Sequence, residues 1–357
     1  MTSCSGGMRS IQLSYGRSTV QLNDNPASRR LARVDLTVTF LGTGASAPSA
    51  RRSTAAVLVQ RGGVKILFDC GEGTQRQMQR SLGLTQVDEI YLTHFHADHV
   101  LGLPGLLKTY DLTDREASLT IYGPPGLEEL FAVFRPLIGR LGYGLDLVEL
   151  RAEDYGGHEG FEVEAFAVEH RSSRALGYAL VEDGRPGRFD PAAAKAAGVP
   201  EGPAFAALQR GEEVEGSAGT VAPEQVMGPD RPGRTIVLTG DTAPSPATVA
   251  AAADAELLIH DAAFMEEDLT RAKETGHSTM RQAAGVAEEA HVKLLALVHI
   301  SSRYHVGACL DEAREVFEPV VAPRDFDQIA IPLPERGEPE LIPNGAREAR
   351  KEEESEG

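Results

Sequence analysis

The chain has 357 residues, 41% hydrophobic and 25% charged, a globular composition that excludes a fully disordered protein. Its 35 Lys and Arg against 53 Asp and Glu leave a net charge of -18, which excludes a protein that coats nucleic acid by general electrostatics; any RNA contact has to be local. No apolar run of about 18 residues is present, residues 1–33 lack the apolar core of a signal peptide, and three cysteines (Cys4, Cys70 and Cys309) make no disulfide framework. These features predict a cytoplasmic protein with no membrane partner.

Residues 1–33 show no periodicity and are expected to form a disordered extension. Alternating apolar and polar positions predict a first strand over Val34–Leu41. Two strands, Thr54–Gln60 and Val64–Asp69, follow as a hairpin around Arg61-Gly62-Gly63. A helix from Thr74, a strand at Asp88–His94 and a helical stretch through Leu107 come next. SLTIYG then reads as a strand and GLEELFAVFRPLIGRL as a helix. Further strands are predicted at Phe161–Val168, Ala175–Glu182, Arg234–Asp241, Glu256–Asp261, Lys293–His299 and Gln328–Ile331, with helices at Thr279–Ala290 and near Leu310–Phe317. Two sheets with helices on their outer faces would bury this pattern, an α/β architecture. The tail at 343–357 is charged and expected to be disordered.

The densest chemistry is His94-Phe95-His96-Ala97-Asp98-His99, between a predicted strand and a predicted helix. In extended backbone, residues two apart point the same way, so His94 and His96 can reach one metal. Asp98 and His99 turn toward a neighbouring position, and the mixture of imidazole and carboxylate suits zinc, manganese or iron(II). Three histidines and an aspartate within six residues are too concentrated for incidental core or surface histidines. A second metal needs more ligands. His170, Asp241 and His299 each follow a predicted strand and could bring them to one rim. His277 stands just before the helix that Ser278 or Thr279 would cap, where it could face an anionic substrate. His260 is expected to support its neighbours or pack, not to ligate; His158, His291 and His305 show no partner pattern.

The stretch from Asp183 to Pro232 is too long and too rich in Gly, Pro and Ala for an ordinary connection, and reads as a functional protrusion. Between Gly184 and Gly211, Arg185, Arg188, Lys195 and Arg210 stand against Asp190 and Glu201, a local net of +2 in an acidic chain. Such an arm can meet RNA phosphates by charge and shape, and its Gly and Pro content should keep it extended or hinged.

Over roughly Val34–Ile342 the chain resembles ribonuclease Z of the metallo-β-lactamase superfamily. The matching segments are TFLGTGASAP (Thr39–Pro48), FDCGEGTQRQM (Phe68–Met78), LTHFHADHVLGLPGLL (Leu92–Leu107), Val168–His170, LTGDT (Leu238–Thr242), GHSTMRQAA (Gly276–Ala284) and LVHISSRY (Leu297–Tyr304). In the protrusion, Gly202-Pro203, Leu208 and Gly211 resemble the family's flexible arm. The resemblance implies an αβ/βα four-layer sandwich with an inserted tRNA-binding arm at about 184–213. It also implies two zinc ions per subunit (manganese is an alternative), a homodimer, and removal of 3′ trailers from precursor tRNA, with DNA not the main substrate. Carried over by residue, His94, His96 and His170 hold one ion, Asp98, His99 and His299 the other, and Asp241 bridges. Asp98 accepts the proton of the attacking water and His277 assists the departing 3′ oxygen, supported by Glu274 or Asp261. Ser301 and Arg303 are candidate phosphate contacts, and Gly202, Pro203, Leu208 and Gly211 candidate tRNA contacts.

One segment departs from the family pattern. After the first strand, Pro48-Ser49-Ala50-Arg51-Arg52-Ser53 stands where family members often carry P-x-K-x-R-N; Ala50 replaces the Lys and Ser53 the Asn, while Arg52 keeps the Arg. That loop is associated with avoiding mature CCA ends, so the cleavage position is left open. The rival on the same fold is a hydrolase of a small phosphodiester, thioester, lactone or sulfate ester, which has no use for a long arm. A flavin-linked di-iron oxidoreductase would carry a Glu at His96 and an attached flavodoxin-like domain. A non-catalytic RNA adaptor would not keep the full ligand set.

Overall fold

The structure is a computed structural model that describes residues 35–171, 174–217 and 219–344. The extension expected at 1–33, and all but the first residues of the tail expected at 343–357, lie outside them.

In chain order the first half supplies β1 (Leu36–Gly42), β2 (Ala56–Arg61), β3 (Val64–Phe68), α1 (Thr74–Ser81), β4 (Glu89–Tyr91), α2 (Ala97–Val100), α3 (Leu103–Leu112), β5 (Leu119–Gly123), α4 (Leu127–Ile138) and β6 (Leu145–Glu149). With β16 (Gln328–Ala330) and β17 (Glu340–Ile342) these strands make one sheet, ordered β17-β16-β1-β2-β3-β4-β5-β6. The second sheet is built from β7 (Tyr155–His158), β8 (Phe161–Ala167), β9 (Leu176–Glu182), β12 (Thr235–Leu238), β13 (Leu257–Asp261), β14 (Leu295–Val298) and β15 (Val320–Val321), ordered β15-β14-β13-β12-β9-β8-β7. In each sheet an antiparallel portion gives way to a parallel one. The runs β3-β4-β5-β6 and β12-β13-β14-β15 are parallel. The β2–β3 hairpin turns on Gly62-Gly63, with Arg61 opposite Val64 and Gly62 at φ +56°, a conformation glycine adopts without strain.

Side-chain alternation with period two assigns each face. Leu36, Val38 and Phe40 of β1, Val57 and Val59 of β2, Val163 of β8 and Leu257 and Ile259 of β13 fill the space between the sheets. Leu58, Leu67 and Ile121 point the other way, onto Met78, Leu103, Leu107 and Phe131 of α1, α3 and α4. Val237, Leu258 and Leu295 pack outward in one cluster with Val249 of α7 (Pro246–Ala251) and Met280, Ala283, Ala284 and Ala287 of α9 (Met280–Glu289). The layers are therefore helix, sheet, sheet, helix, the αβ/βα sandwich expected from the sequence. Several expected boundaries move. The strand foreseen at Asp88–His94 ends at Tyr91, the helix through Leu107 is two helices, and the helix near Leu310–Phe317 is α10 (Val306–Arg314).

Between β9 and β12 the chain forms a small unit of its own: α5 (Pro191–Ala196), α6 (Pro203–Gln209) and the hairpin of β10 (Val214–Gly216) with β11 (Gly219–Val221). Asp190 caps α5 by accepting the Ala192 and Ala193 N–H groups. Ala194, Val199, Leu208, Val221 and Val226 make a separate apolar cluster. The expectation of an extended stretch is corrected here: these apolar side chains suffice for a local core. The excursion also runs past residue 213 and returns only at Arg234.

Its root is held by ions. Arg234 is 1% exposed and grips Glu182 through Nε (2.6 Å) and Nη2 (2.7 Å), while its Nη1 donates to Ile331 O at 2.7 Å. Arg61 Nε adds a bond to Glu182 Oε1 at 3.1 Å. Glu182 ends the last strand before the excursion and Arg234 precedes the first strand after it. Outside this pair, Arg185 and Arg231 face each other across the two legs and share Glu335. Removing one partner strands a buried charge, so Arg234→Met should lower unfolding free energy by about 3–5 kcal/mol in urea titration. Burial lifts the Glu182 carboxyl, but the hydrogen bonds and charge of Arg234 pull it further down, leaving it below its ordinary value. Its stabilising contribution is therefore present above the unfolded-chain value near ~4.3 and is lost as pH falls through the lowered folded value; Glu182→Gln should flatten that acid limb.

Candidate metal centre

The parallel strands place the site. Asp69 follows β3, His94 and His96 follow β4, Asp241 follows β12, Asp261 ends β13 and His299 follows β14. All lie at carboxyl ends of strands, the side on which open α/β sheets present functional loops. His170 joins them from the end of β8.

Two local conformations aim the side chains. Asp69 and His299 both take left-handed backbone, at φ +56° and +58°, uncommon for residues with a Cβ and concentrated at functional sites. Gly240, at φ +61°, lets the chain turn from β12 into Asp241; a Cβ there would meet the Thr93 side chain at 2.7 Å.

Potential donor atoms gather in two groups that share Asp241: His94, His96 and His170 in one, Asp98, His99 and His299 in the other, with the atoms of each group within 4.8 Å of one another. His94 Nε2 lies 3.7 Å from Asp241 Oδ2, His99 Nε2 3.3 Å and His299 Nε2 3.5 Å from Asp241 Oδ1. Asp98 Oδ2 stands 3.3 Å from His299 Nε2 and 3.6 Å from His99 Nε2. All seven residues singled out as ligands by the sequence thus meet at one place.

Hydrogen bonds to the outward ring nitrogens fix several of the imidazoles, and Thr93 Oγ1 lies 3.0 Å from His94 Nδ1. His99 Nδ1 donates to Asp69 Oδ2 at 2.8 Å, and Asp69 also accepts the Thr93 N–H at 2.8 Å. His170 Nδ1 donates to Gly276 O at 2.8 Å. By contrast, the buried His94 Nε2 and His99 Nε2 have no hydrogen-bond partner. A buried polar atom left unpaired is costly, and two of them aimed at a shared carboxylate fit metal ions. Burial, then the neighbouring His99, holds His94 well below its ordinary pKa, so it stays in the neutral form that ligates. For Asp98, burial works upward, but the His299 hydrogen bond and His99 outweigh it, and the carboxyl stays ionised below its usual range.

Beside these groups stands His277. Gly276, at φ +74°, ends α8 (Leu269–Thr275), and Thr279 begins α9 with a capping box in which its side chain accepts the Gln282 N–H. Ser278 donates to Thr242 O at 2.7 Å, next to Asp241. His277 is thereby pinned with Nδ1 on Asp261 Oδ2 at 2.8 Å and its ring stacked on His299 at 5.1 Å between centroids. Burial lowers the His277 pKa, but the Asp261 charge and hydrogen bond raise it more, so the net shift is upward. Of the two expected supporters, Asp261 holds the ring. Asp261 and His277 also form a donor group with Asp241 and His299, but Asp261 is engaged by His277 and by the Thr242 N–H.

Other candidates fall elsewhere. Arg303 rests over Phe264 and Tyr304, with Nη1 3.5 Å from Asp268 Oδ2. Leu208 is wholly buried in the cluster of the excursion, so it shapes that unit and cannot itself touch a ligand, a correction to its expected role. Gly202 and Gly211 supply positive-φ turns on either side of α6, and Pro203 is its first residue. His260 is buried with Nδ1 on Asp261 O. Sequence reasoning missed Asp69 and Thr93; an acid immediately after an apolar strand was the available signal, the one that found Asp241.

The fold and the paired donor groups are those of a metal-dependent hydrolase fold, and the model of the metallo-β-lactamase superfamily matches residues 50–270. A ribonuclease Z of Haloferax volcanii is 49% identical over 295 residues, 80% of this chain and 91% of that protein. The ribonuclease Z of Myxococcus xanthus is 46% identical over 304 residues, 84% of this chain and 98% of that one. The crystal structure of the short form of human tRNase Z superposes with a TM-score of 0.61 at 30% identity, covering 83% of this chain and 99% of that one. The chain belongs to the ribonuclease Z family of the metallo-β-lactamase superfamily.

Asp69 stands outside both donor groups, yet it sets the tautomer and angle of His99. Asp69→Ala should weaken metal binding about 10–100-fold in competition with a chromophoric chelator.

Proposed function

We infer that this chain is a metal-dependent endoribonuclease that removes the 3′ trailer from precursor tRNA, leaving a tRNA 3′-hydroxyl and a 5′-phosphate on the trailer. The observation that carries it is the pair of donor groups sharing Asp241 beside the Asp261–His277 couple, in a chain 46–49% identical to proteins named ribonuclease Z.

His94, His96 and His170 would hold one divalent ion and Asp98, His99 and His299 the other, with Asp241 between them. We assign zinc to both positions, with manganese as the alternative. Such ions supply Lewis-acid stabilisation of phosphoryl oxygens and lower the pKa of water. Asp98 takes the proton of the water that attacks phosphorus. As the bond from phosphorus to the 3′ oxygen breaks, His277 gives that oxygen a proton from Nε2, while Asp261 on Nδ1 stabilises the charged ring. The Thr242 N–H donates to Asp261 Oδ2 at 3.0 Å and Asp261 holds His277 Nδ1 at 2.8 Å, so the proton donor is kept in place.

The unit spanning 184–233 supports the tRNA reading: Arg188 and Lys195 stand on it, and Gly202, Pro203 and Gly211 lie at its exposed turns. It would bind the tRNA body by shape and through single cations such as Arg188, since the unit as a whole carries five Lys and Arg against seven Asp and Glu, with Arg303 near the site as a phosphate contact. A homodimer in the cytoplasm, acting on RNA in preference to DNA, completes the proposal; among the described residues no helix is long and apolar enough to cross a membrane.

A precursor tRNA with a labelled 3′ trailer, incubated with and without chelator and mapped to the nucleotide, tests the assignment; chelator-sensitive cleavage next to the discriminator base is expected. Turnover of a small phosphodiester without RNA cleavage would replace it by a small-substrate hydrolase. His277→Ala should slow tRNA cleavage about 10²–10⁴-fold but spare bis(p-nitrophenyl) phosphate, whose leaving group needs no proton. Asp98→Ala should slow both substrates.

A further inference from the structure

The segment from Thr43 to Ser53, between β1 and β2, runs alongside the strand end that carries His299. Gly44 pairs with Ile300, and the Ser46 N–H lies 3.3 Å from His299 Nε2. Residues 46–51 are exposed, and the tip closes on itself through Ser49, whose hydroxyl accepts the Arg51 and Arg52 N–H groups. A loop with so exposed a tip needs an external anchor to keep one conformation.

That anchor comes from 272 residues away. Asp325 Oδ2 accepts the Ser53 N–H at 2.7 Å, and Oδ1 accepts the Thr43 hydroxyl at 2.9 Å, so one carboxylate ties together the two feet of the loop. Gln77 Nε2 donates to Asp325 Oδ2 and to Leu41 O, both at 2.9 Å, which fastens the carboxylate to β1 and α1. Arg52 turns inward: Nη1 donates to Thr43 Oγ1 and, at 2.8 Å, to Pro323 O. The two adjacent arginines therefore do different work. Arg52 is a strut between the loop and the 323–325 segment. Arg51 is exposed, and among the described residues its guanidinium has no acid held against it.

We propose that Asp325 is a positioning residue that fixes the 43–53 loop at the mouth of the site, and that Arg51, not Arg52, is the cation this loop presents to an RNA phosphate next to the scissile bond. This rests on the RNA-cleaving reading above. Its consequence is a split between substrates: a large RNA feels the loop, whereas a small phosphodiester that reaches only the donor groups does not.

The test uses the full chain and four proteins: wild type, Asp325→Ala, Arg52→Ala and Arg51→Ala. Trypsin cleavage at the Arg51-Arg52 tip reports loop anchoring, and should be faster by about 10-fold or more in Asp325→Ala, with a smaller increase after Arg51 in Arg52→Ala. In Asp325→Ala and Arg51→Ala, KM for precursor tRNA should rise about 5-fold or more at nearly unchanged kcat, the loss of one charged contact. Hydrolysis of bis(p-nitrophenyl) phosphate should stay within about twofold of wild type in all variants. Asp325→Asn, which keeps one carbonyl acceptor for the loop, should recover part of the protection from trypsin. Unchanged proteolysis and KM in Asp325→Ala would overturn the anchoring, and a KM effect in Arg52→Ala but not Arg51→Ala would overturn the division of labour. Equal losses on both substrates would make the loop part of the donor framework and overturn the proposal as well. A wild-type chain that hydrolyses the small ester but no RNA fails the tRNA reading itself, a result separate from the trypsin comparison.

Discussion

A carboxylate almost wholly withdrawn from water organises this protein. Asp241 is 3% exposed and lies among His94, His99 and His299. Burying a lone carboxylate in an apolar interior costs several kcal/mol or more, so the surroundings must present positive charge or polar partners to it. The sandwich can do this because the parallel strands β3, β4, β12, β13 and β14 end at one rim, where the residues at their ends meet. Burial pushes the Asp241 carboxyl up, but the surrounding imidazoles, His299 foremost, pull it well below its ordinary value. Much else follows from this demand: Asp69 orients His99, Gly276 O orients His170, and Asp261 orients His277. His99, His170 and His277 are thus held from behind, each with its other nitrogen left free of that bond.

The sequence made most of the sandwich legible because buried strands announce themselves. Val34–Leu41 and Ala175–Glu182 alternate or run apolar, and both became strands within one or two residues. The elements that escaped sit at margins. β6, β7 and β17 are edge strands or lie beside one, with half-solvated faces, and β7 carries two glycines, so neither period nor composition marks them. The unit between β9 and β12 escaped for another reason. Its Pro191 and Pro203 look like breaks but occupy first turns of helices, where proline is tolerated.

The site was legible in a similar pattern. Chemically distinctive ligands stood just beyond predicted strands, and the geometry assembled all seven. Residues that act from behind were invisible or ambiguous, because an Asp such as Asp69 or Asp325 has no local signature until the chain brings its partner near. Asp325 meets Thr43 across 282 positions, and no reading of nearest neighbours contains that contact. The basic-looking pair Arg51-Arg52 shows the same limit: identical residue types, adjacent in sequence, face opposite surroundings.

The excursion between β9 and β12 has an apolar cluster that shares no residue with those of the sandwich, and its two legs are fastened at the root by Glu182 and Arg234. Cooperative units of folding follow such boundaries. Amides of α5 and α6 can therefore exchange with solvent through a local opening that stops at the clamp, while those of β9 and β12 must await a far larger event. The protein thus carries an element whose local order is separable from that of the rim, so a loosening of its small core need not disturb the donor groups.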